Sequence, residues 1–142
     1  MPHNEELFLL DTHVWIWLAE GSKNISMKNQ AVFRQAILRD SVYVAAISVW
    51  EISMLVAKQR IILDMPLPEW VNKSFEALRL KLIPLSPQIS IDSCFLPGTF
   101  HGDPADRMIV STARVENLCL ATKDQNIIAF GRGHHVKVMA AS

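Results

Sequence analysis

Residues 101–127, HGDPADRMIVSTARVENLCLATKDQNI, carry the pattern that decides the fold. Asp103-Pro104 is typical of a helix start, because aspartate caps a helix and proline fits its first position. We predict a helix from there through Asn117, then a short buried strand at residues 118–121 and a polar turn containing Asp124. A helix that leads directly into a short apolar strand is the building unit of a parallel α/β sheet.

The rest of the chain repeats this alternation. An apolar run at residues 7–10 ends in Asp11 and predicts the first strand. A helix follows from Thr12 to Glu20, with Val14, Trp15, Trp17 and Leu18 inward and Gly21 ending it. Further helices are predicted at residues 26–39, from Ser48, across 70–78 after a break at Pro66 and Pro68, at 86–95 and at 126–130; further strands are predicted at 42–45, 82–85 and 136–139.

Alternating strands and helices predict a parallel sheet covered by helices on both faces. The 142 residues are 50% hydrophobic and 20% charged, which is typical of a compact globular chain. No repeat, low-complexity segment or linker interrupts the pattern. We therefore expect residues 1–142 to form a single α/β domain.

Charge and cysteine content limit the function classes. Lysine plus arginine and aspartate plus glutamate number 14 each, so the net charge of zero argues against a broad nucleic-acid coat, though not against an enzyme that grips one strand locally. Cys94 and Cys119 have no metal-like spacing and are expected to be reduced thiols. Glu5 and Glu6 stand where a signal peptide needs positive charge, and the apolar runs nearby are short, so we expect a cytoplasmic protein without a membrane segment.

Four acidic residues occupy related places in the predicted fold. Asp11 and Asp124 follow strands, while Glu51 and Asp106 lie in the first turns of helices. Ligands of open parallel sheets bind beyond the carboxyl ends of the strands, where the strand order reverses, and all four side chains can converge there. Carboxylates that share one site repel one another unless a cation lies between them, and an oxygen-only ligand set favours Mg²⁺ or Mn²⁺. Such a site suits phosphodiester hydrolysis.

Each acid also has an ordinary structural interpretation. Ser48-x-x-Glu51 matches a capping box, and Asp103 with Asp106 matches a capped helix start. Asp11 alone would be an N-cap and Asp124 alone a turn residue. The convergence of the four acids at one sheet edge favours a shared site, and a carboxylate can cap a helix and bind a metal together.

With these residues placed, the chain resembles the PIN-domain family, in particular the VapC-like toxins, essentially end to end. LLDTHVWIWLAEG is similar to the first family motif, ISVWEI to the second, HGDPADRMIVSTA to the third and LATKDQNI to the fourth. The four motifs occur in the family's order and spacing. The chain departs from the usual pattern at Ala105, where an aromatic residue is common, and at Met54 and Leu55, near which relatives often have a lysine.

The resemblance implies a PIN-like three-layer α/β/α fold with a parallel sheet of about five strands. It implies a Mg²⁺- or Mn²⁺-dependent endoribonuclease that cleaves RNA, is inhibited by a cognate antitoxin protein and forms a homodimer. Asp11, Glu51 and Asp106 are then the catalytic and metal-binding residues, with Asp124 as a fourth ligand and Asp103 as the acid that precedes Asp106 in the motif. The toxin half of a toxin–antitoxin pair is the implied biological role.

Other residues have competing interpretations. Thr12, Ser48 and Thr122 either orient the carboxylates or only cap helices and strand ends. His13 and His101 contact substrate or are structural, with the structural role favoured, and His134 and His135 are expected in a solvated turn. Arg107 meets a phosphate, neutralises acids or forms an ordinary ion pair. The four tryptophans are expected in the core or an interface before any role in base stacking. Candidate phosphate contacts, otherwise solvated, are Lys23, Lys28, Arg34, Arg39, Lys58 and Arg60.

Three other protein classes are alternatives to a metal-dependent ribonuclease. A non-catalytic PIN scaffold that binds RNA or a protein partner would be indicated by a lost acid, whereas all four are present. A receiver-like signalling domain needs an acid pair after the first strand and a phospho-accepting aspartate after the middle strand, and neither occurs. A phosphatase of the Asp-x-Asp type is excluded by His13. The RNA target is left open by the sequence.

Overall fold

The computed structural model describes residues 6–100 and 102–142, so the prediction for His101 lies outside the described residues. Within these ranges the strands are β1 (Phe8–Leu10), β2 (Val42–Ala45), β3 (Lys81–Ile83), β4 (Cys119–Thr122) and β5 (Val138–Ala140). The helices are α1 (Thr12–Glu20), α2 (Met27–Leu38), α3 (Ala46–Ala57), α4 (Leu67–Ala77), α5 (Pro87–Cys94), α6 (Pro104–Glu116) and α7 (Gln125–Arg132).

The five strands form one sheet in the order β3-β2-β1-β4-β5, and every neighbouring pair is parallel. From β1 the chain first builds outward through β2 and β3, and it later returns to the other side of β1 with β4 and β5. The strand order therefore reverses between β1 and β4, where Leu10 lies opposite Ala121. Ligands of open parallel sheets bind at this point, beyond the carboxyl ends of the strands.

Helices cover both faces of the sheet and form two hydrophobic cores. On one face the core contains Trp15 from α1, Phe33 from α2 and Trp70 from α4. The Trp15 indole donates a hydrogen bond of 3.0 Å to the Ser74 hydroxyl. On the other face Ile89, Ile109 and Ile127 from α5, α6 and α7 pack together. The strands β1, β2 and β4 are buried almost throughout, as expected for central parallel strands. The predicted three-layer α/β/α class is confirmed.

Several predicted boundaries are wrong for local physical reasons. β3 ends at Ile83 instead of residue 85, because Pro84 has no N–H for the strand ladder. α4 begins at Leu67 instead of residue 70, with Pro66 as its N-cap residue and Pro68 in its first turn, where proline fits. On α1 the inward face includes Ile16, while Trp17 and Leu18 are only partly buried. β4 and β5 each lie further along the chain than predicted, and α7 is longer.

No helix within residues 6–100 and 102–142 combines the length and the apolar character that a bilayer crossing requires.

Candidate active site and metal centre

Asp11 leaves the sheet directly at the point where the strand order reverses. Its backbone N–H donates to the Ala121 carbonyl of β4 at 2.9 Å, and its side chain caps α1. One carboxylate oxygen accepts the Thr12 N–H at 2.8 Å, and the other accepts the Thr122 hydroxyl at 2.6 Å. Burial raises the pKa of Asp11, and these two hydrogen bonds partly offset that rise. The Asp11 carboxylate is thus held in a single orientation.

Glu51 reaches the same edge from α3. The Thr12 hydroxyl donates a hydrogen bond to its carboxylate, so Thr12 holds Asp11 with its N–H and Glu51 with its side chain. Burial raises the pKa of Glu51, the bond from Thr12 lowers it, and Asp11 and Asp103 raise it further. The predicted orienting role of Thr12 therefore has a direct geometric basis.

The predicted capping box at Ser48 and Glu51 is wrong. α3 begins at Ala46, directly after β2, and its N-cap residue Ala45 offers no side-chain hydrogen bond. Ser48 consequently lies inside the helix and is fully buried, and its hydroxyl has no hydrogen-bond partner among the described residues. Glu51 falls in the second turn, so its side chain serves the cleft and not the helix end.

Asp103 caps a helix and also lies among the acids of the cleft. It caps α6 by accepting the Asp106 N–H at 2.8 Å. At the same time, carboxylate oxygens of Glu51, Asp103 and Asp106 lie within 4.8 Å of one another. Among the described residues these three acids form a group of potential metal ligands, so capping does not remove Asp103 from the candidate site.

Asp124 follows β4 and caps α7, accepting the N–H groups of Asn126 at 2.8 Å and Ile127 at 3.2 Å. Its own N–H donates to the Thr122 hydroxyl at 3.0 Å. The same hydroxyl donates to Asp11, so Thr122 fixes the spacing between the two strand-end acids. Thr122 is therefore an orienting residue.

These side chains line one cleft of about 360 Å³, whose lining residues are Asp11, His13, Glu51, Asp103, Asp106, Lys123 and Asp124. Burial, together with the negative charges of Asp103, Asp11, Glu51 and Asp124, raises the pKa of Asp106 to about 7. A half-buried carboxylate surrounded by four others is a site that a divalent cation would stabilise strongly. The donor set consists of oxygen atoms, which suits Mg²⁺ or Mn²⁺.

Residues 8–133 match the family model described as PIN domain. The chain belongs to the PIN-domain family. It is also similar to Ribonuclease VapC22 of Mycobacterium tuberculosis, with 34% identity over 119 residues that cover 84% of this chain and 88% of the relative.

Several solved structures share the fold. VapBC2 from Rickettsia felis, solved with a promoter DNA fragment, superposes with a TM-score of 0.66 at 18% identity and covers 94% of this chain and 97% of its own. FitAcB from Neisseria gonorrhoeae superposes with a TM-score of 0.63 at 20% identity, and the match covers 95% of this chain and 98% of that chain. A toxin–antitoxin complex from Klebsiella pneumoniae superposes with a TM-score of 0.60 at 21% identity, and the match covers 94% of this chain and 97% of that chain.

The PIN-domain cleft also contains two basic side chains. His13 lines the cleft together with Asp11. Burial, followed by the charge of Lys123, lowers the pKa of His13 below its ordinary value of 6.5, so the imidazole is neutral at neutral pH. Lys123 was not singled out from the sequence, although its position between Thr122 and Asp124 at the end of β4 was sufficient to place it here. Arg107, which was singled out, instead donates to the Ser93 and Phe100 carbonyls at 2.8 and 2.9 Å. Among the described residues Arg107 forms no ion pair, and a contact of Arg107 with a phosphate stays a prediction.

The remaining predicted residues lie elsewhere. Trp15 and Trp70 are in the core, Trp17 is half-buried, and Trp50 is 56% exposed. His134 is exposed, whereas His135 packs 4.8 Å from the Phe130 ring, so the prediction of a solvated His135 is wrong. The basic residues Lys23, Lys28, Arg34, Arg39, Lys58 and Arg60 do not line the acidic cleft.

A larger cavity of about 810 Å³ opens at the other end of the sheet, near the start of β4 and β5. There Arg114 is paired with Asp92 at 3.0 Å and donates to the His135 carbonyl at 2.7 Å. The charge of Arg114 in the larger cavity is thus already engaged. The smaller cleft instead concentrates acids that form no ion pair among the described residues. Chemistry, and not volume, identifies the smaller cleft as the candidate active site.

Proposed function

We propose that this chain is a Mg²⁺- or Mn²⁺-dependent endoribonuclease and the toxin component of a toxin–antitoxin pair. The observation that carries the proposal is the convergence of Glu51, Asp103 and Asp106 within 4.8 Å, beside the fixed carboxylate of Asp11. The ribonuclease name of the relative from Mycobacterium tuberculosis supports the choice of RNA as substrate.

The residues fit a divalent cation by their chemistry. Asp11, Glu51, Asp106 and Asp124 would hold the ion, and Asp103, whose carboxylate lies within 4.8 Å of those of Glu51 and Asp106, would join them. When bound, Mg²⁺ supplies charge stabilisation for the phosphodiester and activation of a water molecule. The raised pKa values of Asp11, Glu51 and Asp106 reflect the repulsion and burial that such an ion would relieve.

The protein contributes orientation. Thr12 and Thr122 fix both oxygens of Asp11, and Thr12 also holds Glu51, so two acids from distant parts of the chain keep one spacing. Because Asp103 accepts the Asp106 N–H, the first turn of α6 presents its two acids as a unit. Preorganised ligands of this kind lose little entropy when substrate and ion bind.

We also propose a homodimer, a cognate antitoxin protein as partner and a cytoplasmic location. Three exposed apolar side chains support a protein-covered surface: Trp50 on α3 is 56% exposed, Ile91 on α5 is 62% exposed, and Phe95, the residue that ends α5 as its C-cap, is 79% exposed. Light scattering at micromolar concentration should give twice the chain mass. Phe95→Asp should give the monomer, whereas Ile62→Asp, at a position 91% exposed between α3 and α4, should leave the dimer intact.

Cleavage of total RNA by the purified protein tests the enzymatic proposal. We expect discrete fragments with Mg²⁺, none with EDTA, and recovery when Mg²⁺ is added in excess of the chelator. Mapped fragment ends would identify the target. Cleavage that persists in EDTA would contradict the metal-dependent mechanism. Absence of cleavage together with absence of Mg²⁺ binding by calorimetry would favour the non-catalytic scaffold.

A further inference from the structure

Lys123 stands at the mouth of the acidic cleft in a fixed position. It is exposed, it follows the last residue of β4, and it lines the cleft with Asp11 and Asp124. Its Nζ atom lies 5.4 Å from the ring centroid of Trp17 on α1. A cation over an indole face is attracted by the ring's quadrupole, so the ammonium group is held at the rim.

The charge of Lys123 is not used in an ion pair. Across residues 6–100 and 102–142 the salt bridges are Arg79–Asp40 and Arg114–Asp92, and neither includes Lys123. Arg107, the cationic residue next to Asp106, is committed to two backbone carbonyls. Among the described residues that line the cleft, Lys123 therefore has a positive charge that is available to a ligand.

A cleft lined by five carboxylates repels a polyanion until a cation offsets that charge. A metal ion held by these carboxylates would offset part of that charge, and a cation at the rim would favour the approach of the RNA strand. Lysine binds phosphate as a compact point charge and contributes affinity without reading sequence.

We propose that Lys123, positioned by Trp17, binds a backbone phosphate of the RNA strand next to the cleaved bond. The inference rests on the proposed ribonuclease function and adds a substrate-binding residue to it. Trp17 is a positioning residue, because its ring is packed against the first core and fixes where the ammonium group stands. Restricting a flexible lysine in advance lowers the entropy lost on binding.

Salt dependence of RNA binding tests the phosphate contact directly. The probe is a fluorescein-labelled, single-stranded oligouridylate of about 12 nucleotides. Binding is followed by anisotropy in Mg²⁺, in an Asp106→Asn background that prevents cleavage. Lys123→Gln should weaken binding about tenfold and reduce the slope of log K against log salt by about 0.7, the value for one contact to a single strand. Lys123→Arg should restore most of both.

Lys81 offers a matched control. Its Nζ atom lies 5.8 Å from the Tyr43 ring centroid, but it begins β3, at the opposite end of the sheet from the cleft. Lys81→Gln should leave affinity and slope unchanged. If Lys123→Gln behaves like Lys81→Gln, or if the Asp106→Asn protein shows no binding even at low salt, the proposal is overturned.

Steady-state cleavage in the otherwise unchanged protein separates binding from chemistry. Lys123→Gln should raise KM about tenfold with little change in kcat, since the contact is made in the bound substrate and kept in the transition state. Trp17→Leu should raise KM by a smaller factor, and Trp17→Phe should restore it by returning an aromatic face. A change confined to Mg²⁺ affinity would overturn the proposal, because Lys123 would then only neutralise the carboxylates. Failure of the unchanged protein to cleave any RNA would count against the ribonuclease function itself.

Discussion

The Thr122 hydroxyl donates a hydrogen bond of 2.6 Å to the carboxylate of Asp11. The same oxygen accepts the Asp124 N–H at 3.0 Å, so one buried side chain ties together the acids that end β1 and β4. Groups that orient metal ligands commonly matter almost as much as the ligands themselves. The geometry of the candidate metal centre therefore depends on the Thr122 hydroxyl as well as on the acids themselves.

Thr122→Val removes this hydroxyl and keeps the shape of the side chain. We expect RNA cleavage or Mg²⁺ affinity to fall by about 10–100-fold, because Asp11 loses a donor and the Asp124 N–H loses an acceptor. Thr122→Ser should retain most activity. Comparison of kcat/KM and calorimetric Mg²⁺ affinity for the two variants checks this, and equal activity of Thr122→Val and the unchanged protein would contradict it.

The acidic cluster should destabilise the metal-free fold at neutral pH. The Asp106 pKa is about 7 in the folded protein against an ordinary value of 3.8, so the folded state binds the proton more tightly. The contribution of Asp106 to stability is therefore complete below the ordinary value and is lost as the pH rises through about 7.

Asp106→Asn should consequently stabilise the metal-free protein on the alkaline side of this range. We expect a gain of about 1 kcal/mol in the free energy of unfolding at about pH 8 in EDTA, discounted for solvent screening at a half-buried site. Near pH 3.8, where the native carboxyl is protonated, the gain should vanish. Urea titrations at both pH values provide the measurement, and a variant less stable at the higher pH would refute the account of repulsion.

Ser48 and Ser86 provide opposite tests of helix capping. The Ser48 hydroxyl is buried without a partner among the described residues, whereas Ser86 caps α5 by accepting the Ile89 N–H at 3.1 Å. Ser48→Ala should therefore leave the free energy of unfolding unchanged or raise it by about 1 kcal/mol. Ser86→Ala should lower it by about 1 kcal/mol. A loss of the same size at Ser48 would mean that its hydroxyl does form a hydrogen bond.

Neither Gly102, near the acidic cleft, nor Gly131, on α7, has room for a Cβ atom. A Cβ atom on Gly102 would lie 2.3 Å from the Phe100 ring and 2.9 Å from the Asp106 Cβ, while one on Gly131 would lie 2.2 Å from the Val138 side chain. Gly102→Ala should therefore displace Asp106 and reduce cleavage well beyond its effect on stability. Gly131→Ala should lower the melting temperature and leave kcat/KM of the folded fraction unchanged. Full activity of Gly102→Ala would contradict the placement of Asp106.

Much of the fold was predictable because its signals are local. The capped start of α6 at Asp103-Pro104 and the apolar run that ends in Asp11 fall where the sequence predicts them. The end of β3 at Ile83 was readable from Pro84, whereas the start of α3 at Ala46 was missed because it depends on where β2 ends and not on the capping residues nearby. A capping-box pattern is common enough to occur inside a helix that has already begun.

The site was predictable at the level of its acids. Asp11, Glu51, Asp106 and Asp124 all line the cleft, since each follows the carboxyl end of a strand or lies near a helix start. Their roles as metal ligands remain a prediction. The link between Thr12 and Glu51 and the position of Lys123 over Trp17 were not predictable, because they depend on how α1 packs against α3 and β4. The two backbone contacts of Arg107 were not predictable, because a helix position alone does not show which way a long side chain turns.

Cleavage of total RNA by Asp106→Asn and Asp64→Asn, beside the unchanged protein in Mg²⁺, tests the central claim most directly. Both variants remove one carboxylate charge, but Asp64 is exposed and lies outside the acidic cleft. The account predicts that Asp106→Asn keeps the fold and loses cleavage, while Asp64→Asn cleaves at the unchanged rate. Cleavage by a folded Asp106→Asn protein at the rate of Asp64→Asn would show that the acidic cleft is not the active site.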